Sequence, residues 1–121
     1  MTRLLFVFAF GAAVAQSAPA VSIDGAWEVH ATIGGTVSDL RCTFVQKEAD
    51  LTGKCGSDHD THEVAGKVEG KTVTWQFNTV WEGQTLTVTY TGTLESVDKM
   101  KGAVDVQPLS VSGDFAATKE K

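Results

Sequence analysis

The amino-acid sequence predicts an all-β protein: an antiparallel up-and-down β-barrel of about eight strands that carries one hairpin disulfide. The first observation behind this prediction is a strict alternation of apolar and polar residues between 73 and 91, which is typical of half-buried strands. The apolar face of this stretch carries Val73, Trp75, Phe77, Leu86, Val88 and Tyr90. The second observation is the Glu82-Gly83 pair between the two runs, because glycine accepts a positive φ in a hairpin turn.

The rest of the chain consists of further short strands joined by short loops, without a helical stretch. Strands are predicted at about 25–33, 39–46, 51–55 and 64–68, then on either side of 79–84, and finally at 97–106 and 111–118. Glycines inside strands indicate the bends that a tightly coiled small barrel needs. Many short strands at even spacing favour a closed barrel, because closure protects strand edges.

Residues 1–20 have the pattern of a secretory signal peptide. Arg3 supplies a positive charge, residues 4–11 are apolar, and small residues at 13–15 and 18–20 fit a cleavage site. The alternative is an N-terminal membrane anchor, but the apolar run is shorter than the roughly 20 residues that a span needs. We therefore expect one β-barrel domain over 21–121, exported to a periplasmic or extracellular compartment.

The two cysteines, Cys42 and Cys55, are expected to form a disulfide. An even number of cysteines in an exported chain favours a cross-link. Pairing Gln46 with Leu51 across the loop 47–50 also places Cys42 opposite Cys55, where neighbouring strands bring side chains within disulfide reach. The alternative is a pair of free thiols.

The charge of the chain argues against nucleic acid and anionic membrane surfaces as partners. The full sequence has 10 basic and 15 acidic residues, and removal of residues 1–20 takes away Arg3, which leaves 9 − 15 = −6. Both kinds of partner require a basic patch, and none is present in the sequence.

The opening Gly25-Ala26-Trp27 of the first strand resembles the start of avidins, lipocalins and related calycin barrels. The segments FVQKEADLTGKC and TVTWQFNTVWEGQTLTVTYTG are similar in layout to the avidin meander. The resemblance implies a barrel in which Trp27 plugs one end and Trp75 and Tyr90 point inward. Small secreted bacterial metalloprotease inhibitors are similar in layout too, and that resemblance implies a role in inhibition for the N-terminal segment 21–23.

The barrel topology predicts that four loops gather at the mouth opposite Trp27, namely 32–38, 56–63, 79–84 and 105–111. Below them, the aromatic residues Trp75, Tyr90, Phe77 and Phe44 are candidates to line a cavity as stacking surfaces for a flat apolar ligand, and Trp81, out of phase beside a turn, is expected to be exposed. The alternative is a core that these aromatics fill completely. The sequence therefore favours a binding protein for a small apolar molecule, with a protein-interaction or protease-inhibitor-like module as the alternative.

Titratable residues are concentrated in the loop 56–63. His59, His62 and Asp60 are candidate ligands for Zn²⁺ or Cu²⁺, because imidazole and carboxylate both bind these ions. Their spacing fits no structural zinc pattern, and the alternative is a solvated polar loop. The sequence has no Ser/His/Asp arrangement, no phosphate-binding loop and no other cofactor motif, so enzymatic activity has no positive support.

Overall fold

The computed structural model describes residues 22–57 and 60–120, and the predicted signal peptide lies outside this range. The strands are β1 Gly25–Ile33, β2 Thr36–Lys47, β3 Asp50–Gly56, β4 Thr61–Glu69, β5 Thr72–Trp81, β6 Gln84–Ser96, β7 Lys99–Gln107 and β8 Val111–Lys119. Each strand pairs antiparallel with its neighbours in sequence, and β1 pairs with β8 to close the barrel. This architecture confirms the predicted fold class.

The barrel closes around a core built from alternate residues of every strand. The core of β5, for example, comprises Val73, Trp75 and Phe77, while the residues between them face outward or are half-buried. Burial of these side chains supplies the main driving force for folding, at roughly 25 cal/mol per Å² of apolar surface. The apolar residues of the alternating pattern therefore face the inside of the barrel, and the polar residues form its outer wall.

Glycines inside the strands let the chain coil tightly enough to close a narrow barrel. At Gly66 an added Cβ would collide with the carbonyl oxygen of Thr74 on the neighbouring strand, and at Gly113 it would collide with the carbonyl oxygen of Thr32. Backbones approach closely at both positions, and no side chain fits between them. At Gly66 the finding is this close approach; a bend at the strand glycines stays a prediction.

The predicted disulfide joins Cys42 of β2 to Cys55 of β3. The two residues are cross-strand partners, and Gln46 pairs with Leu51 as the sequence indicated. Both cysteines are fully buried inside the barrel, with 13 residues of sequence separation. In the chain-entropy description, a cross-link of this length stabilises the fold by about 3 kcal/mol.

One end of the barrel, which we name the closed end, is sealed by the residues that precede β1. Ile23 and Trp27 are completely buried, and the Trp27 Nε1 donates a hydrogen bond of 3.0 Å to the carbonyl oxygen of Ile23. The Ile23 amide donates to Gln46 Oε1 at 2.9 Å, and the Gln46 amide donates to Asp24 Oδ1 at 2.6 Å. The bond from the Gln46 amide is the main cause that lowers the pKa of Asp24, and a bond from the Ser22 hydroxyl adds to it. The inward position expected for Trp27 is confirmed.

Several strands extend further towards the mouth than the sequence predicted. β2 begins at Thr36 instead of 39, and β4 begins at Thr61 instead of 64. The loop expected at 47–50 is a turn of only two residues, because Lys47 pairs with Asp50. A run of polar residues such as 61–63 is typical of a loop. A strand that exposes one face to solvent carries polar residues on that face as well, so the sequence did not distinguish the two.

The described residues contain no helix that is long and apolar enough to span a membrane. The cross-link between Cys42 and Cys55 is typical of proteins in oxidising compartments, where disulfides form and persist.

Candidate functional site

A layer of four aromatic rings occupies the middle of the barrel. The rings of Trp75 and Tyr90, which are cross-strand partners, stack 4.9 Å apart at an interplanar angle of 5°. Phe115 meets both rings edge-on at 5.3 and 5.2 Å, and Phe44 meets Trp75 edge-on at 5.0 Å. These distances are those of favourable aromatic pairs in packed cores. We name these four residues the aromatic layer; its members pack on one another.

The polar atoms of this layer lie in a dry environment. Desolvation by burial raises the pKa of Tyr90 to about 12. The buried Trp75 Nε1 has no hydrogen-bond partner among the described residues. An orphaned buried donor carries a free-energy cost, so the layer offers one N–H group for an acceptor that reaches it.

Between the aromatic layer and the mouth lies a set of apolar side chains that we name the cup. Its members face the interior on five neighbouring strands and are Ile33, Phe77, Leu86, Val106 and Val111. Ile33 and Val111 are only partly buried, whereas residues of the closed end such as Trp27 are fully buried. The partly buried members of the cup, Ile33 and Val111, therefore lie at the ends of β1 and β8 that border the mouth.

The mouth is bordered by exposed apolar residues, which we name the rim: Val37, Val80, Trp81 and Leu109. Trp81 is 51% exposed at the tip of the β5–β6 hairpin, beside the two-residue turn Glu82-Gly83, where both residues have positive φ. Its exposure was predicted, but the reason given from the sequence was wrong. Trp81 shares the inward phase of Trp75 and is exposed because the hairpin tip extends beyond its neighbours, since β6 pairs with β7 only from Thr87 onward.

The structure describes two of the three candidate metal ligands, His62 and Asp60. The His62 ring stacks on Phe77 with centroids 5.0 Å apart and an interplanar angle of 10°, and Asp60 is exposed in the loop before β4. His59 lies outside the described residues. No cluster of three or more potential ligands occurs within 22–57 and 60–120, and metal binding by His59, His62 and Asp60 stays a prediction.

The outer wall around β1 and β2 carries exposed polar pairs. His30 Nδ1 lies 2.7 Å from Asp39 Oδ1, with both side chains exposed. Arg41 Nε donates to Glu120 Oε2 at 2.8 Å, which lowers the pKa of Glu120 and tethers the C-terminal residues to β2. His30 therefore faces the outside of the barrel.

These observations define the class of the protein as a closed, eight-stranded antiparallel β-barrel with one internal disulfide. No protein-family model matches the chain, and no curated protein matches it. Three solved structures are similar. The redesigned β-barrel b11L5F_LGL has a TM-score of 0.66 and 20% identity, with 84% of this chain and 96% of that chain covered.

The other two similar structures carry a bound small molecule. The redesigned β-barrel mFAP1 bound to DFHBI has a TM-score of 0.57 and 15% identity, covering 81% of this chain and 94% of that one. EF1p2_mFAP2b bound to DFHBI has a TM-score of 0.52 and 16% identity, covering 82% and 94%. At these identities the likeness shows a small β-barrel fold and nothing about the site.

Sequence reasoning missed two parts of this region. Phe115 completes the aromatic layer from β8, and its position in phase with Ala117 was the available signal. Ile33 and Val111 of the cup were not singled out, although both lie at strand ends that border the mouth. The aromatic residues predicted to line a cavity include Trp75, Tyr90 and Phe44. Trp75 packs against both of the others, and ligand binding by these residues stays a prediction.

Proposed function

We propose that the protein is an exported β-barrel that binds a small, flat, apolar molecule in the cup. The observation that carries this proposal is the uneven burial of the interior, which is sealed around Trp27 and partly open around Ile33 and Val111. In this proposal Phe77 forms part of the wall, the aromatic layer is the floor, and Trp81 flanks the entrance. Apolar walls with a few polar groups are the usual composition of small-molecule sites.

Three further observations support the proposal. The resemblance to avidins and lipocalins implies binding at the open end of a barrel. Two similar structures hold a small molecule, DFHBI, within the same type of fold. The signal-peptide pattern of residues 1–20 and the Cys42–Cys55 disulfide support export, with 21–121 as the secreted domain.

A second candidate function is a protein contact made by the rim. Among the described residues, four of the six large exposed apolar ones, Val37, Val80, Trp81 and Leu109, lie around the mouth, and Val45 and Val97 lie elsewhere. Clustered exposed apolar side chains often mark interaction surfaces. The metalloprotease-inhibitor layout has less support, because Ile23 of its inserting segment is buried at the closed end.

The ligand proposal is tested by native mass spectrometry of protein purified from its own source, and by fluorescence titration with anilinonaphthalene sulfonate as an apolar probe. We expect a co-purifying small molecule, and we expect Trp81→Ala to weaken probe binding about tenfold, as removal of an aromatic anchor does. Val97→Ala is the control, because Val97 is an exposed apolar residue near the closed end. Equal weakening by both substitutions, or by neither, would contradict binding in the cup.

A second pair of positions, Val80 and Val97, separates the protein-contact candidate from the ligand-binding one. Val80 at the rim and Val97 at the closed end are both 69% exposed, so Val80→Ser and Val97→Ser remove equivalent apolar surface at opposite ends. Val80 faces the outside of β5, and its replacement leaves the cup unchanged. Loss of a protein complex in Val80→Ser alone, with probe binding retained, would favour the rim over the cup.

A further inference from the structure

The barrel wall has a seam between β4 and β5 on its mouth side. β4 pairs with β3 from Thr61 to Lys67, but it pairs with β5 only from Ala65 onward. β5 continues past Gln76 to Trp81 while paired with β6 alone. Residues 61–64 and 77–81 therefore face each other as two strand edges without a shared register.

The register of the two hairpins fixes which backbone groups point into the seam. Trp81 and Gln84 flank a two-residue turn and thus form a hydrogen-bonded pair. Because hydrogen-bonded pairs alternate along an antiparallel ladder, the backbone groups of Phe77 and Thr79 also bond to β6. The backbone groups of the residues between them point away from β6. The residues of β5 that face the seam are Asn78 and Val80. Each offers one N–H and one C=O, and both residues lie beyond the last pair of the β4–β5 register, Ala65 with Gln76.

The same reasoning applies to β4. Glu69 and Thr72 flank the turn between β4 and β5, so Ala65 is bonded to Gln76, and the alternation continues to Glu63 and Thr61. The seam is therefore bordered by the N–H and C=O groups of four residues, two on each strand. This arrangement is the hydrogen-bonding pattern that an added extended chain would complete.

The seam is a closed-bottomed groove and not a hole. On the outer wall, a cleft of about 420 Å³ is lined by Glu63 and Val64 on one side and by Phe77 and Asn78 on the other. On the inside, the stacked rings of His62 and Phe77 close the gap. A molecule in the seam thus lies on the barrel surface, apart from the cup.

The free part of β5 lacks the features that protect exposed edges. Its sequence Phe77-Asn78-Thr79-Val80-Trp81 has no charged residue and no proline, the two devices that usually block the addition of a strand. Val80 is also largely exposed. The only charged residue that lines the cleft is Glu63, which forms no ion pair within the described part of the chain.

We propose that this seam binds an extended, basic peptide segment of a partner protein by strand addition to β5. Backbone groups of Asn78 and Val80 would bond to the segment, a β-branched residue of the segment would lie against Val80, and a lysine or arginine would pair with Glu63. The negative charge of the chain favours a cationic partner and disfavours a second copy of itself.

The test uses amide hydrogen exchange with a synthetic peptide that alternates valine and threonine around a central lysine. In the free protein we expect fast exchange at Asn78 and Val80 and slow exchange at Phe77 and Thr79, which bond to β6. Saturating peptide should slow Asn78 and Val80 at least about tenfold, because each amide gains a hydrogen bond. A peptide with a central glutamate should bind more weakly.

Val80→Pro provides the matched substitution. Proline removes the N–H that points into the seam and leaves the β5–β6 bonds in place, so peptide affinity should fall at least about tenfold while the fold is retained. Val97→Pro, at an equally exposed valine in the β6–β7 turn, should leave affinity unchanged. Slow exchange at Asn78 and Val80 in the free protein, protection that rises with protein concentration alone, or unaltered binding by Val80→Pro would each overturn the proposal.

Discussion

Tyr90 should make the protein sensitive to alkali. Burial raises its pKa to about 12 from the ordinary 10.0, so the neutral phenol is favoured in the folded state. The pKa of Tyr90 is higher in the folded state than in the unfolded state. The resulting contribution of Tyr90 to the free energy of unfolding is therefore fully present below pH 10. It is lost progressively between about pH 10 and 12. The difference between the folded and unfolded pKa values of Tyr90 corresponds to about 3 kcal/mol of stability.

The assay is favourable because Tyr90 is the only tyrosine in the chain. Ultraviolet absorbance of tyrosinate therefore follows this one side chain, and urea unfolding at a series of pH values follows stability in parallel. We expect ionisation near pH 12, and we expect the loss of stability above pH 10 to be about 3 kcal/mol larger in the native sequence than in Tyr90→Phe.

Tyr90→Phe is a suitable control because it keeps the stacked ring beside Trp75 and removes only the ionisable group. Lysine side chains lose charge over the same pH range in both proteins, so the difference between the two curves isolates Tyr90. Ionisation near pH 10 in the folded protein, or identical alkaline curves for the two proteins, would refute a dry aromatic layer.

Two further predictions concern the closed end and the wall. Trp27→Ala should lower the free energy of unfolding by roughly 3–5 kcal/mol, since Trp27 is fully buried and bonded to Ile23; a loss below about 1 kcal/mol in urea melts would mean that it does not seal the barrel. Gly66→Ala should lower the free energy of unfolding by at least about 2 kcal/mol, because the new Cβ collides with the Thr74 carbonyl oxygen. An unchanged midpoint of thermal melting would contradict this prediction.

The alternation of side chains was sufficient to predict the fold. The runs around Trp75 and Tyr90 defined a hairpin, and the pairing of Gln46 with Leu51 was enough to locate the disulfide. Strand ends were harder to place. Residues 61–63 have polar side chains on both faces, so the alternation of side chains does not identify them as part of a strand. They belong to β4 because their backbone pairs with β3, and this pairing cannot be read from the side chains of one strand.

The candidate site could be predicted only in outline. The sequence placed Trp75 and Tyr90 inside, but whether they fill the barrel depends on Phe44 and Phe115, which arrive from distant strands. The seam between β4 and β5 was not predictable either, because alternation along one strand does not reveal where pairing with its neighbour stops. Packing and pairing across strands are collective properties of the closed barrel.

The central claim, that the cup is the binding surface, is tested most directly by methyl NMR of the full domain titrated with anilinonaphthalene sulfonate. We expect shifts of the methyl groups of Leu86, Val106 and Val111, with Met100 near the closed end unchanged. Shifts centred on Met100, or shifts confined to outward-facing residues such as Val45, would contradict it.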